Sequence, residues 1–197
     1  MSKKLRILAA GDLHGDFDIA KKLSAKAKRN KVDLVVLAGD IYGYEDGDEG
    51  ILTPFVKAKQ KVLFVPGNCE FDAEREMLSK SAKEIHNYYV TYKGVGIAGI
   101  GSPDWKLSLN DKDFGNIKRN FDRMKAKKKI LVSHLHAEGT MAEFSGVPGE
   151  RVLRKAVKDF KPDLLISAHI HEAEGIEDKI GKTKVIQVGR RGKVLEI

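Results

Sequence analysis

The chain has 197 residues, 42% of them hydrophobic, and a formal charge of +8 from 36 basic and 28 acidic residues. That length predicts one folded domain over 1–197 with a substantial core, and no apolar stretch approaches the roughly 18 residues of a membrane span. The basic start "MSKKLRILAAGDLHG" has too short an apolar run for a signal peptide. The single cysteine, Cys69, excludes an intrachain disulfide and points to a reducing cytoplasm. Because the charges of both signs are interspersed, most of them read as solvated surface, with nucleic acid a less favoured partner.

In chain order, "LRILAA" (Leu5 to Ala10) is a short unbroken apolar run and predicts a buried strand. "DFDIAKKLSAKAKRN" follows with apolar residues at helical spacing. "VDLVVLA" (Val32 to Ala38) and "KVLFVP" (Lys61 to Pro66) read as further strands. The acidic "YGYEDGDEG" (Tyr42 to Gly50) between them reads as an exposed loop, its Asp46-x-Asp48 only a faint hint of calcium binding. "FDAEREMLSKSAKEI" predicts a helix, and "YYVTYKGVGIAGIGS" alternates around glycines like a hairpin. "DFGNIKRNFDRMKAKKK" predicts a helix with the basic run Lys125 to Lys129 at its end, where the dipole favours positive charge. "KILVS" (Lys129 to Ser133), "GERVLRKAVKDF" and "DLLISA" (Asp163 to Ala168) give strand, helix, strand. The closing "KTKVIQVGRRGKVLEI" alternates again and reads as a hairpin or meander. The order β-α-β-α-β-α, β-β, α-β, α-β-β predicts an α/β layered fold with mixed sheets.

The chemistry lies just past the strands. The first run is followed by Gly11-Asp12-Leu13-His14-Gly15, the second by Gly39-Asp40, and the third by Gly67-Asn68. "KILVS" leads into His134, and "DLLISA" into His169 and His171. Each residue alone has an ordinary explanation: Asp12 as a helix cap, Asp40 as a strand end, Asn68 as a turn residue. Five strands ending alike is a stronger pattern, because the carboxyl ends of strands are where open α/β sheets bind ligands. Three oxygen donors and four imidazoles suit two divalent metals sharing a carboxylate. Side chains two apart in an extended segment face the same way, so His169 and His171 each read as a metal ligand.

The series Asp12-x-His14, Gly39-Asp40, Gly67-Asn68, His134 and His169-x-His171 resembles the calcineurin-like metallophosphoesterase family in order, spacing and strand context. The resemblance implies a four-layer αββα sandwich, two mixed β-sheets flanked by helices, with a dinuclear metal centre. It implies one ion held by Asp12, His14, Asp40 and His171, and another by Asp40, Asn68, His134 and His169, with Asp40 bridging. The activity it implies is hydrolysis of a phosphate ester by in-line attack of a metal-bridging hydroxide. A diester is favoured over a monoester because no long cap domain is visible. Oxygen and nitrogen ligands suit Mn, Fe, Ni or Zn without choosing among them.

Where the family commonly has Gly-Asn-His, this chain has Gly67-Asn68-Cys69, which resembles a subset of small prokaryotic members. A thiol cannot carry an imidazolium's charge, so esters with good leaving groups are expected to turn over better. Cys69 as a metal ligand is the alternative. His136 is either a turn residue or a proton donor that partly replaces the missing histidine, and His86 reads as a surface residue. The family's Asn-Pro-Gly stretch is replaced by Gln187-Val188-Gly189-Arg190, which leaves Arg190 and Arg191 as substrate contacts or turn residues. Trp105 would either stack on an aryl group or nucleobase, or cover the core. Two rival readings fit the same residues, a nuclease and a catalytically silent scaffold of the same fold.

Overall fold

A computed structural model of the protein describes residues 4–43 and 50–197, so the predicted acidic loop and its Asp46-x-Asp48 lie almost wholly outside the described residues. Among the described residues, eleven strands form two sheets. The first contains β1 (Arg6–Ala10), β2 (Leu34–Ala38), β3 (Val62–Val65), β4 (Lys83–Glu84) and β11 (Lys193–Glu196), in the order β11-β1-β2-β3-β4. The second contains β5 (Tyr89–Tyr92), β6 (Val95–Ile100), β7 (Lys128–Ser133), β8 (Leu164–Ser167), β9 (Glu177–Ile180) and β10 (Thr183–Gln187), in the order β5-β6-β7-β8-β10-β9. The central strands of both sheets are parallel, and β11, β5 and β9 close the edges antiparallel.

The unbroken apolar runs are explained by burial on both faces. Alternate residues Ile7, Ala9, Val36, Val65, Ile97, Val132 and Ile166 meet between the sheets. On the outer face of the first sheet, Leu8, Val35, Leu37 and Phe64 pack under α1 (Phe17–Arg29), α2 (Thr53–Lys57) and α3 (Asp72–Ser79). On the outer face of the second, Ala98, Leu131 and Leu165 pack under α4 (Asp111–Arg123) and α5 (Arg151–Phe160). The result is the four-layer αββα arrangement of two mixed sheets flanked by helices.

Local chemistry sets the helix ends. Asp16 caps α1 by accepting the Ile19 N–H at 3.0 Å, so the cap is Asp16 and not Asp12. Asn110 caps α4, with Asp113 returning a bond to its N–H. Three sequence expectations need correction. The helix predicted through Ile85 stops at Ser79, because Lys83 and Glu84 join the first sheet beside β3. The helix ahead of "KILVS" stops at Arg123, and Met124 turns extended, so the basic run Lys125 to Lys129 enters β7 instead of charging a helix end. The last alternating stretch is no hairpin: β10 joins β8 in one sheet and β11 joins β1 in the other. The hairpin partner of β10 is β9.

Candidate metal centre

The ends of β1, β2 and β3 converge with those of β7 and β8 through a network of backbone bonds. Asp12 N–H donates to the Gly39 carbonyl at 3.0 Å, His14 N–H to Asp40 at 2.9 Å and Gly15 N–H to Ile41 at 3.0 Å. Gly11 N–H donates to Gly189, in the connection between β10 and β11, at 3.2 Å, and Ala168 N–H donates to His134 at 3.0 Å. Two glycines make the approach possible. Gly39 has φ +91, and a Cβ there would sit 2.5 Å from His134 Nδ1 and 2.7 Å from Gly67. A Cβ on Gly67 would run into the Asp40 carboxylate and backbone.

Four of the seven residues singled out by sequence adopt the left-handed backbone region: Asp12 (φ 54), His14 (φ 47), Asp40 (φ 48) and His169 (φ 73). Such conformations cost on the order of 1–3 kcal/mol each and persist where the surroundings over-determine them, as at functional sites. The clamp that holds the Asp40 turn is Glu70, a fully buried residue that sequence reading passes over in the stretch after Gly67. Its Oε1 accepts the N–H groups of Ile41 (2.7 Å) and Tyr42 (2.9 Å), and its Oε2 those of Asp40 (3.0 Å) and Gly67 (2.6 Å). One carboxylate thus ties the turn after β2 to the turn after β3. A glutamate three residues past Gly67, in the turn directly after a buried strand, is the signal that would have found it.

Three overlapping groups of side chains result, each with its donor atoms within 4.8 Å of one another: Asp12–His14–His171, His14–Asp40–Cys69 and Asp40–His134–His169. His14 and Asp40 each belong to two of them. His14 Nε2 lies 3.1 Å from His171 Nε2, and His134 Nε2 lies 3.2 Å from His169 Nδ1 and 3.1 Å from Asn68 Oδ1. His134 donates Nδ1–H to the Ala38 carbonyl at 2.8 Å, which turns Nε2 inward toward Asp40 Oδ2 at 3.5 Å. Asp12 accepts the His169 N–H on both oxygens at 3.2 Å. Cys69 is buried: its N–H donates to Asp40 Oδ1 at 3.0 Å, and its thiol lies 3.9 Å from His14 Nδ1. All seven sequence-predicted side chains therefore come together. Converging carboxylate, amide and inward-turned imidazole donors are a chemical set that fits divalent cations.

The electrostatics follow from burial. Burial opposes the charge of Asp40, but the hydrogen bond and charge of His134, the Cys69 N–H and His14 hold its carboxyl well below the usual range. Burial also opposes charging His134, yet Asp40 and then Asp12 push it up to about 9. Asp12 is raised to about 6 by burial, with the Asp40 charge adding to that rise and His134 opposing it. His169 is lowered to about 4 by burial and by His134. Burial, and then the charge of Asp40, raise Glu70 to about 7 against the pull of its N–H donors.

Several secondary expectations are settled by position. His136 lies in the loop after β7 but is buried there: it is 2% exposed, donates Nε2–H to Val147 at 3.2 Å, and stands outside the three donor groups. His86 is half-buried rather than on the open surface, and its Nδ1 accepts the Gly101 N–H at 2.8 Å. Burial lowers its pKa to about 4, which keeps that acceptor neutral. Arg190 pairs with Asp16 at 2.7 Å and its charge is felt by His14, whereas Arg191 is held by Glu174. Trp105 is 52% exposed and does not cover the core.

The model of the calcineurin-like phosphoesterase family matches residues 5–173. No curated protein matches the chain by sequence. Among solved structures, TT1561 of Thermus thermophilus is 16% identical with a TM-score of 0.74, over 96% of this chain and 91% of that one. The phosphopantetheinyl hydrolase of Mycobacterium tuberculosis is 13% identical with a TM-score of 0.63, over 97% and 92% of the two chains. A dimetal phosphatase from Danio rerio is 13% identical with a TM-score of 0.61, over 94% and 88%. At these identities the likeness is one of fold.

The Glu70 clamp yields a stability prediction. Glu70→Gln keeps the shape but sets an NH₂ against two backbone donors, which should cost about 3 kcal/mol in urea denaturation. A loss under about 0.5 kcal/mol would mean that the four N–H groups do not depend on the carboxylate.

Proposed function

The chain belongs to the calcineurin-like phosphoesterase family, and on that premise we propose that it hydrolyses phosphate esters, diesters in preference to monoesters, at a centre for two divalent ions. Asp12, His14 and His171 would hold one ion and Asn68, His134 and His169 the other, with Asp40 shared. The observation that carries this reading is the chain of overlapping donor groups linked through His14 and Asp40. When bound, two such ions supply Lewis acidity toward phosphoryl oxygens and lower the pKa of water.

The chain's own residues would do the rest. The Ala38 carbonyl fixes the His134 tautomer with its lone pair facing inward. Arg190, anchored on Asp16 beside His14, offers a guanidinium to a phosphate oxygen. His171 is exposed and His14 half-buried, so the donor group they form with Asp12 is open to solvent, as access by a phosphate ester requires. Cys69 stands next to His14 where the family pattern has histidine. A thiol protonates a departing oxygen less well, which favours esters such as aryl phosphates whose leaving group needs no proton. His136, turned to Val147, gives no support to a proton-donating role. Nitrogen and oxygen donors accept Mn, Fe, Ni or Zn alike.

Two outcomes are expected. Metal-stripped protein should regain hydrolysis of bis-p-nitrophenyl phosphate when Mn²⁺, Ni²⁺ or Zn²⁺ is returned, and Asp40→Asn should lower that activity at least about 100-fold, in the range of lost metal-site partners. Full activity in the variant would overturn the shared-carboxylate role. Because His134 and Asp12 must shed protons from pKa values near 9 and 6, apparent metal affinity should rise from pH 5.5 to 8.5 with net proton release. Titration calorimetry in buffers of different ionisation enthalpy measures both, and a pH-independent affinity would contradict the assignment.

A further inference from the structure

The segment leaving β6 is fastened to the turn that carries Asn68. Gly101 N–H is held by His86 Nδ1 at 2.8 Å, and Ser102 N–H by the Pro66 carbonyl at 3.0 Å. Asp104 N–H donates to Glu70 and Trp105 N–H to Asn68, both at 3.2 Å. These bonds hold Asp104 (φ 60) and Trp105 (φ 57) in the left-handed region. For a residue as bulky as tryptophan that is a genuine outlier. A bulky residue held under strain on the backbone of a candidate ligand needs a reason other than core packing, because Trp105 is 52% exposed.

Its neighbour is Phe71, the residue that opens α3 directly after the Glu70 clamp. The two rings meet at 6.0 Å between centroids and 71° between planes. This edge-to-face contact orients both rings without stacking one on the other. Phe71 is 39% exposed, and Leu107 beyond Trp105 is 60% exposed. The pair is thus rigid, apolar and open, and stands on the backbone of the same turn that presents Asn68 and Cys69. A flexible or aliphatic rim would not select a flat ligand, whereas a preset indole does so at little entropic cost.

We propose that Trp105, oriented by Phe71, is a stacking platform for a planar aromatic group carried on the phosphate ester, a nucleobase or a simple aryl group. The proposal rests on the phosphoesterase reading for the place of the phosphate, and it adds the class of substituent. Trp105 is a specificity-determining residue in this account, and it takes no part in bond making or breaking. The preference for aryl leaving groups inferred from Cys69 concerns turnover, while the platform acts on binding, so the two are separable.

The test uses Trp105 as its own reporter, since it is the only tryptophan in the chain. Phenylphosphonate and methylphosphonate, which cannot be hydrolysed at the P–C bond, are titrated into metal-loaded protein by fluorescence and by calorimetry. Phenylphosphonate should shift the tryptophan emission saturably and bind about tenfold or more tighter than methylphosphonate, the scale of one aromatic stack. Trp105→Ala should bring that ratio close to one by calorimetry, and Trp105→Phe should keep part of it. Equal binding of the two phosphonates by the wild type, or a ratio unchanged in Trp105→Ala, would overturn the platform. The wild-type comparison stands even if a variant fails to fold. Adenosine 5′-phosphorothioate distinguishes the sources: tighter binding than phenylphosphonate assigns a nucleobase, weaker binding a small aryl group. Metal-dependent hydrolysis with a ratio of one would sink the platform alone. A persistent ratio without hydrolysis under any metal would sink the enzymatic reading alone.

Discussion

The bond from His134 Nδ1 to the Ala38 carbonyl, 2.8 Å long, crosses from the second sheet to the first. A second bond runs the same way, from the His169 N–H of the second sheet to the Asp12 carboxylate of the first. The facing surfaces of the two sheets meet through apolar side chains, which fix separation but not register. At this end, directional bonds set how the strand ends oppose one another. The same two bonds orient the side chains they join. Committing one nitrogen of His134 to the backbone leaves the other for the interior, and committing Asp12 to His169 places both among the donors.

The convergence is costly and is held by more than one element. Four left-handed residues and several close backbone approaches would relax if the turns were free. Glu70 prevents this by gathering four N–H groups onto one carboxylate, and the β6 segment adds three further bonds to the same region. Stability located in the layered core is thus opposed by strain concentrated at one edge, the arrangement expected where geometry serves chemistry.

Much of this was legible in the residues. The five strands of the core pattern were readable because burial on both faces writes an unbroken apolar run, and their ends because each stops at a polar residue. The seven converging side chains followed from that pattern. Glu70 escaped because a glutamate in a polar loop looks solvated until four donors are found around it. His86 escaped for the same reason, its acceptor role being set by Gly101 far along the chain. The split of β10 and β11 between sheets was not readable, since alternation reports two faces and says nothing of which strand lies alongside. The strain at Trp105 likewise depends on contacts with Asn68 that sequence neighbours do not reveal.

The most direct measurement is anomalous diffraction at the manganese edge from crystals of the protein soaked in Mn²⁺. The account predicts two peaks, one beside Asp12, His14 and His171 and one beside Asn68, His134 and His169, with the Asp40 carboxylate between them. A single peak, or two peaks that both avoid Asp40, would contradict the shared-carboxylate centre on which the functional reading stands.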